Sequence, residues 1–229
     1  MTKSIGVIGG MGPAATADLF AKLIAATGAE RDQDHLRILI DSNPRVPDRN
    51  AAIAGRGPSP GPDLAHAARG LEQAGADFLV IACNTAHAFA DEIEAAVSIP
   101  LLSMIDATAD AAMQARPACV GVIAGDGCRR AGLYQRAFAA RGAETLFPLD
   151  AAQQDFMDVL YRIKAGDTGD AVRQRMAALA TNLATRGAQA VVAACTEVPL
   201  VLDASALAVP VISSTDALVA RAVAYARAA

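Results

Sequence analysis

Ile81-Ala82-Cys83-Asn84-Thr85-Ala86-His87 has a counterpart further along the chain, Val192-Ala193-Ala194-Cys195-Thr196-Glu197. In each, a cysteine closes a short apolar run, Phe78 to Ala82 and Ala190 to Ala194, and small hydrogen-bonding residues follow at once. That is the pattern of a buried strand ending at a site. The same dipeptide precedes both runs, Gly75-Ala76 and Gly187-Ala188, and the offset is 112 residues for the dipeptides and the cysteines alike. Ile5-Gly6-Val7-Ile8-Gly9-Gly10 returns as Val120-Gly121-Val122-Ile123-Ala124-Gly125 at an offset of 115. Ile99-Pro100-Leu101-Leu102-Ser103-Met104-Ile105-Asp106 returns as Val209-Pro210-Val211-Ile212-Ser213-Ser214-Thr215-Asp216 at an offset of 110. Three segments repeated in one order, with offsets drifting so little, describe a diffuse internal duplication.

Apolar runs alternate with helical periodicity along the whole chain. Strands are expected at 5–10, 36–40, 78–82 and 99–106, and again at 120–125, 144–148, 190–194 and from Val209; helices are expected at 14–27, 64–75, 91–97, 108–115, 130–141, 155–164 and 169–186. Strands that alternate with helices run parallel, and a half of this length makes a small α/β domain. The expectation is therefore two pseudosymmetric α/β domains, each a mostly parallel four-stranded sheet flanked by helices, covering 1–103 plus 213–229 and 104–212. If a pseudo-twofold axis relates them, the active site lies in the interdomain cleft, with Cys83 and Cys195 on facing walls. Asp106 and Asp216, at matching places, are expected to cap helices.

Composition narrows the function. Of 229 residues 53% are hydrophobic, yet no apolar run reaches the roughly 18 to 20 residues that cross a bilayer, so a soluble protein is expected. Met1-Thr2-Lys3-Ser4 leads straight into a strand pattern with no apolar leader, which makes the cytoplasm the default location. A net charge of −4 argues against nucleic-acid binding. Cys83, Cys119, Cys128 and Cys195 show no C-x-x-C spacing and read as free thiols, with no metal site. Arginine supplies 17 of the 20 cationic side chains; the lysines are Lys3, Lys22 and Lys164.

Gly9-Gly10-Met11-Gly12-Pro13 reads as strand, glycine turn and helix start, where a ligand can approach backbone N–H groups; a tight turn without a ligand is the alternative. It is not G-x-G-x-x-G, so a dinucleotide is not expected. The irregular loop 41–50 offers Arg45 and Arg49 to an anion, against the plain reading of solvated surface arginines. Two thiols facing one carbon suit a particular reaction. A thiolate removes the proton from one face of a carbon that becomes a planar carbanion while a thiol returns a proton to the other face, inverting the centre. Asn84, Thr85 and Thr196 are the right types to donate hydrogen bonds to a carboxylate turning enediolate-like.

Gly9-Gly10-Met11-Gly12-Pro13, Pro47-Asp48-Arg49, Cys83-Asn84-Thr85-Ala86-His87 and Cys195-Thr196-Glu197 together resemble the aspartate/glutamate racemase family, in particular its aspartate racemase branch. The resemblance covers the chain in order. It implies a cofactor-independent amino-acid racemase acting on an acidic amino acid, aspartate over glutamate, with Cys83 and Cys195 catalytic and a homodimeric state. It also implies that Arg49 and Lys164 contact substrate carboxylates, with Met11, Asn84, Thr85, Thr196 and Glu197 as further substrate-binding candidates. His87 is expected to fix the Cys83 loop, Cys119 to lie in a strand, and His35 and His66 to lie on the surface. Where the family usually carries A-T-x-G-T, this chain has Ala124-Gly125-Asp126-Gly127-Cys128, so two hydroxyl donors are absent and an acid and a thiol stand in the turn. Alternatives are a same-fold isomerase, decarboxylase or hydantoin racemase using these cysteines, a non-catalytic anion-binding protein, and a redox switch closing a Cys83–Cys195 disulfide.

Overall fold

The structure, a computed structural model, describes residues 2–228. These form two compact units, residues up to Met104 with those from Thr215 onward, and Ile105–Ser214. The first unit contains β1 (Ile5–Gly9), α1 (Pro13–Thr27), β2 (Ile38–Ser42), α2 (Arg49–Ile53), α3 (Gly61–Gln73), β3 (Phe78–Ile81) and α4 (Ala90–Glu94). Helix α5 (Met104–Ala112) carries the chain into the second unit, which holds β4 (Cys119–Ile123), α6 (Asp126–Arg130), α7 (Leu133–Ala139), β5 (Glu144–Leu146), α8 (Asp150–Lys164), α9 (Asp170–Thr185), β6 (Ala190–Ala193) and β7 (Val211–Ser213). Helix α10 (Ser214–Arg227) returns it to the first.

All strand pairs are parallel, in the orders β2-β1-β3 and β5-β4-β6-β7. Parallel sheets need both faces covered, and alternate residues along each strand serve the two faces. In the first unit Ile5, Val7, Phe78 and Val80 pack with Leu19 and Leu23 of α1 and Leu218 and Ala222 of α10. Ile8, Leu79 and Ile81 pack on the other side with Leu64, Ala68 and Leu71 of α3. In the second unit Ile123, Val191 and Ala193 meet Phe156 and Leu160 of α8 and Met176 and Leu183 of α9. Val120, Val122 and Val192 meet Ala109 of α5 and Tyr134 and Phe138 of α7.

The internal repeat extends to single hydrogen bonds. Ala82 N–H donates to the Ile8 carbonyl and Ala194 N–H to the Ile123 carbonyl, each at 2.9 Å. Asp77 N–H to Ser4 O is matched by Gln189 N–H to Cys119 O, and Leu79 N–H to Pro100 O by Val191 N–H to Pro210 O. Gly6 and Gly121 occupy equivalent places where a helix presses on a strand. A β-carbon on Gly6 would stand 2.7 Å from Leu79 Cδ2 and 2.9 Å from Ala76 Cβ; one on Gly121 would stand 3.0 Å from Ala188 Cβ and Leu183 Cβ.

Some boundaries differ from expectation. The fourth strand of the first sheet is a single parallel bridge, Leu79 to Leu101, instead of a strand over 99–106. The ladder runs through Leu102 N–H to Leu79 O at 2.9 Å, but the next donor along, Met104 N–H, bonds His87 Nε2 at 3.0 Å. The second unit has Pro199 at the position offset from His87 by 112, and there β7 forms in full. The helix expected over 130–141 is divided, α7 starting after Gly132, whose φ is 66°. Asp106 and Asp216 lie inside the first turns of α5 and α10 and make ion pairs, with Arg141 at 3.0 Å and Lys22 at 2.8 Å.

Gly6→Ala is expected to destabilise the protein by about 1–3 kcal/mol through overpacking, and Gly121→Ala, with slightly more room, by less. Chemical denaturation of the two variants beside the parent checks both the cost and the order.

Candidate active site

Register places the candidate residues. Ile8 pairs with Ile81, so the glycine turn after β1 and Cys83 after β3 leave neighbouring strands at one edge of the first sheet. Ile123 pairs with Ala193, so the turn after β4 and Cys195 after β6 do the same in the second. This carboxyl edge is where parallel α/β sheets bind ligands.

In the first unit Cys83 is buried and packs with Ile81, Leu64 and Met11. The ring of His87 is taken at both nitrogens: Nδ1 lies 3.0 Å from the Cys83 carbonyl and Nε2 accepts from Met104 N–H at 3.0 Å. Because Nε2 accepts, the ring proton sits on Nδ1 and donates to that carbonyl. His87 therefore staples the cysteine loop to the start of α5, as expected of it. Asn84 and Thr85, buried beside Cys83, open the short 3-10 turn that follows.

The glycine turn is braced internally. Thr16 Oγ1 accepts from Gly10 N–H at 2.9 Å and donates to Gly12 O at 3.1 Å, so the Gly10 N–H is already in use. Gly10 has φ 87°, and a β-carbon there would fall 2.4 Å from the Asn43 backbone, which excludes any other residue. Met11 turns its side chain into the core, and its carbonyl accepts from Arg49 Nη2 at 3.2 Å. Arg49, the first residue of α2, is buried to 9% exposure. Its Nη1 donates to the carbonyls of Val46 and Pro47 at 3.2 and 3.0 Å, while its buried Nε has no partner. Among the described residues no carboxylate pairs with it. A buried cation held only by carbonyls retains a net positive charge for an anion. Arg45, by contrast, is exposed.

In the second unit one carboxylate gathers three expected residues. Glu197, 3% exposed, accepts from Cys195 Sγ–H at 3.1 Å and Thr196 Oγ1–H at 3.2 Å through Oε2, and its Oε1 is ion-paired with Lys164 Nζ. Burial, and then the Glu197 charge, push the Cys195 thiol well above its usual range; Lys164 pulls the other way. This shift and the hydrogen bond to Glu197 both favour the thiol form of Cys195. Lys164, at the end of α8, faces Glu197.

Gln153 and Tyr134 escaped sequence reading. Gln153, buried in the first turn of α8, donates through Nε2 to Ala124 O at 3.0 Å and Asp126 Oδ1 at 2.9 Å, bracing the turn after β4. Its signal was a glutamine in step with the apolar positions Phe156, Leu160 and Ile163 of the same helix. Tyr134 is fully buried and hydrogen-bonds Thr108 and Ser214; burial holds its hydroxyl well above the usual range. Ser214 opens α10, so this bond ties β7's end to the core. None of the four cysteines is in a disulfide. Among the described residues no group of three or more His, Cys, Asp or Glu is placed to hold a metal, and no helix is long and apolar enough to cross a membrane. An apolar depression of about 350 Å³ between α1 and β2, lined by Phe20, Ile24, Thr27, His35, Leu36 and Ile38, involves none of these site residues.

Each of the two α/β units thus ends a strand in cysteine beside a βα turn, and comparison with known proteins gives the class of enzyme that carries this arrangement. Residues 8–222 match the model of the Asp/Glu/hydantoin racemase family, and the chain belongs to that family. It is 28% identical over 229 residues to the broad specificity amino-acid racemase RacX of Bacillus subtilis (strain 168), covering 93% of this chain and 94% of that one. Among solved structures it is similar to the aspartate racemase of Picrophilus torridus, with a TM-score of 0.88 and 32% identity over 98% of this chain and 94% of that one. Glutamate racemase isoform RacE1 of Bacillus anthracis shares the fold, with a TM-score of 0.71 at 20% identity over 96% and 79% of the two chains. The motif resemblance to aspartate/glutamate racemases holds.

Replacing Glu197 by Gln removes a negative charge beside Cys195 and leaves Lys164 in place, so the Cys195 pKa should fall. Site-resolved iodoacetamide labelling at pH 8 should then be faster at Cys195 in Glu197→Gln than in the parent, whose labelling should rise steeply only above the ordinary thiol range.

Proposed function

We propose that this chain is a pyridoxal-phosphate-independent racemase of a free α-amino acid, working in the cytoplasm as a homodimer, with Cys83 and Cys195 as its two acid–base groups. The observation that carries the reading is the repeated frame: equivalent hydrogen bonds, Ala82 to Ile8 and Ala194 to Ile123, hold two cysteines at equivalent strand tips. The resemblance names aspartate as the expected substrate. The relatives named above, one an aspartate racemase and one of broad specificity, support amino-acid racemisation in common. The exposed apolar side chains Phe20, Ile24 and Ile40 are a surface of the first unit that a second copy could cover.

The chemistry follows from how each group is held. Arg49, a buried cation without a carboxylate, is suited to the α-carboxylate, where it stabilises the charge that builds as Cα loses its proton. In one direction Cys83 as thiolate takes that proton and becomes a thiol. Cys195, already a thiol on Glu197, delivers its proton to the opposite face and becomes a thiolate facing Lys164. The reverse direction starts from the swapped protonation state, and proton exchange with water restores either form. Glu197 here sets the protonation of Cys195; Lys164 compensates the charge that appears when the thiol ionises.

In D2O the parent should exchange the α-proton of at least one amino acid with loss of optical purity, followed by NMR and chiral chromatography. Cys83→Ser and Cys195→Ser should each slow racemisation roughly 10²–10⁴-fold, the usual contribution of a positioned acid or base. A serine variant racemising at the parental rate contradicts the two-thiol reading.

A further inference from the structure

Charge at the two strand edges is distributed unevenly. In the first unit Arg49 is a buried cation with no carboxylate among the described residues, a place for one substrate carboxylate. A second carboxylate would need a second uncompensated cation or a set of donors. In the second unit the cation that reaches the Cys195 tip, Lys164, is already paired with Glu197. Arg129 of α6 turns instead to Asp150, at 3.6 Å, and to the Phe147 ring.

The turn after β4 offers the opposite chemistry. Asp126 is exposed there, and Gln153 spends both hydrogens of its Nε2 on Ala124 O and Asp126 Oδ1. That double donation fixes the amide orientation and leaves Gln153 Oε1 a buried acceptor without a partner. An unmet buried acceptor costs free energy unless a donor reaches it. Since Ile123 pairs with Ala193, this turn and Cys195 leave adjacent strands at one edge, about 5 Å apart in the pairing direction. A substrate whose Cα meets Cys195 carries its side chain into reach of this turn.

We propose that the amino acid racemised by this protein has a side chain ending in N–H donors, an amide or a cationic nitrogen, and that Asp126 and Gln153 select it over a side-chain carboxylate. This deepens the racemase reading and rests on it. A carboxylate side chain would meet the Asp126 charge and the Gln153 oxygen, both acceptors; an amide or ammonium satisfies them. The inference departs from the aspartate expected by resemblance, and it agrees with the loss of hydroxyl donors at Gly125 and Cys128.

The test compares α-proton exchange in D2O for asparagine, glutamine, lysine, aspartate, glutamate and alanine, with the full-length protein. Asparagine, glutamine or lysine should exceed aspartate and glutamate in kcat/KM by roughly ten- to a hundredfold, the range of a hydrogen bond to a charged group. Asp126→Asn, a conservative change, should cut that preference about tenfold, chiefly through KM, and Gln153→Leu should lower the donor-bearing substrates relative to alanine, with circular dichroism confirming that both variants fold. Faster exchange of aspartate or glutamate in the parent, or a preference unmoved by Asp126→Asn, overturns the proposal while leaving the racemase reading standing. Exchange of none of these amino acids sinks the racemase reading and this inference with it.

Discussion

Parallel pairing of β1 with β3, and of β4 with β6, is the constraint on which everything else depends. Parallel neighbours end at the same edge, so a cysteine closing one strand necessarily stands beside the turn that closes the other. The register is held by the tip hydrogen bonds from Ala82 and Ala194, and a slip of one residue would turn each strand's core side chains to the wrong face. Gly6 and Gly121 belong to the same constraint. They let α3 and α9 press close on the central strands, against Leu71 and Leu183, and so fix the height at which each tip emerges.

On this common frame the two cysteines have acquired different surroundings. The His87 staple spends a backbone N–H that would otherwise extend a fourth strand, and in return ties the Cys83 loop to α5. At the second tip Pro199 stands in the matching place, the fourth strand forms, and Glu197 takes charge of the neighbouring thiol. In the Glu197–Lys164 pair the carboxylate is buried and the ammonium partly exposed, and the two charges act in opposite directions on the Cys195 thiol, Glu197 raising its pKa and Lys164 lowering it. Asymmetry of this kind suits a reaction whose resting state needs one thiol protonated.

Much of this was legible in the chain. The cysteine runs, the Gly-Ala dipeptides and the Ile-Pro and Val-Pro segments announced the duplication because strand cores and tight turns constrain residue type strongly. Long helices such as α8 and α9 were found at the right place, though α8 begins five residues earlier than its pattern suggested. The missing strand at Leu101 was not legible, because it depends on one imidazole competing for the Met104 N–H. Nor was the division of the helix at Gly132, which tolerates both conformations. Within the candidate site, spacing brought out Cys195, Thr196 and Glu197 but not the direction of their bonds. That the Met11 side chain, set among glycines, packs into the core was not legible either. Gln153 needed the tertiary structure, since only packing shows that a polar residue in an apolar helix stripe meets a strand-edge turn.

The account stands on both sulfurs serving one bound amino acid. The most direct measurement is site-resolved alkylation of Cys83 and Cys195 across a titration of a substrate amino acid, each cysteine quantified by peptide mass spectrometry. Protection of both at one shared half-protecting concentration is the predicted result; protection of one with the other labelling as before would contradict it.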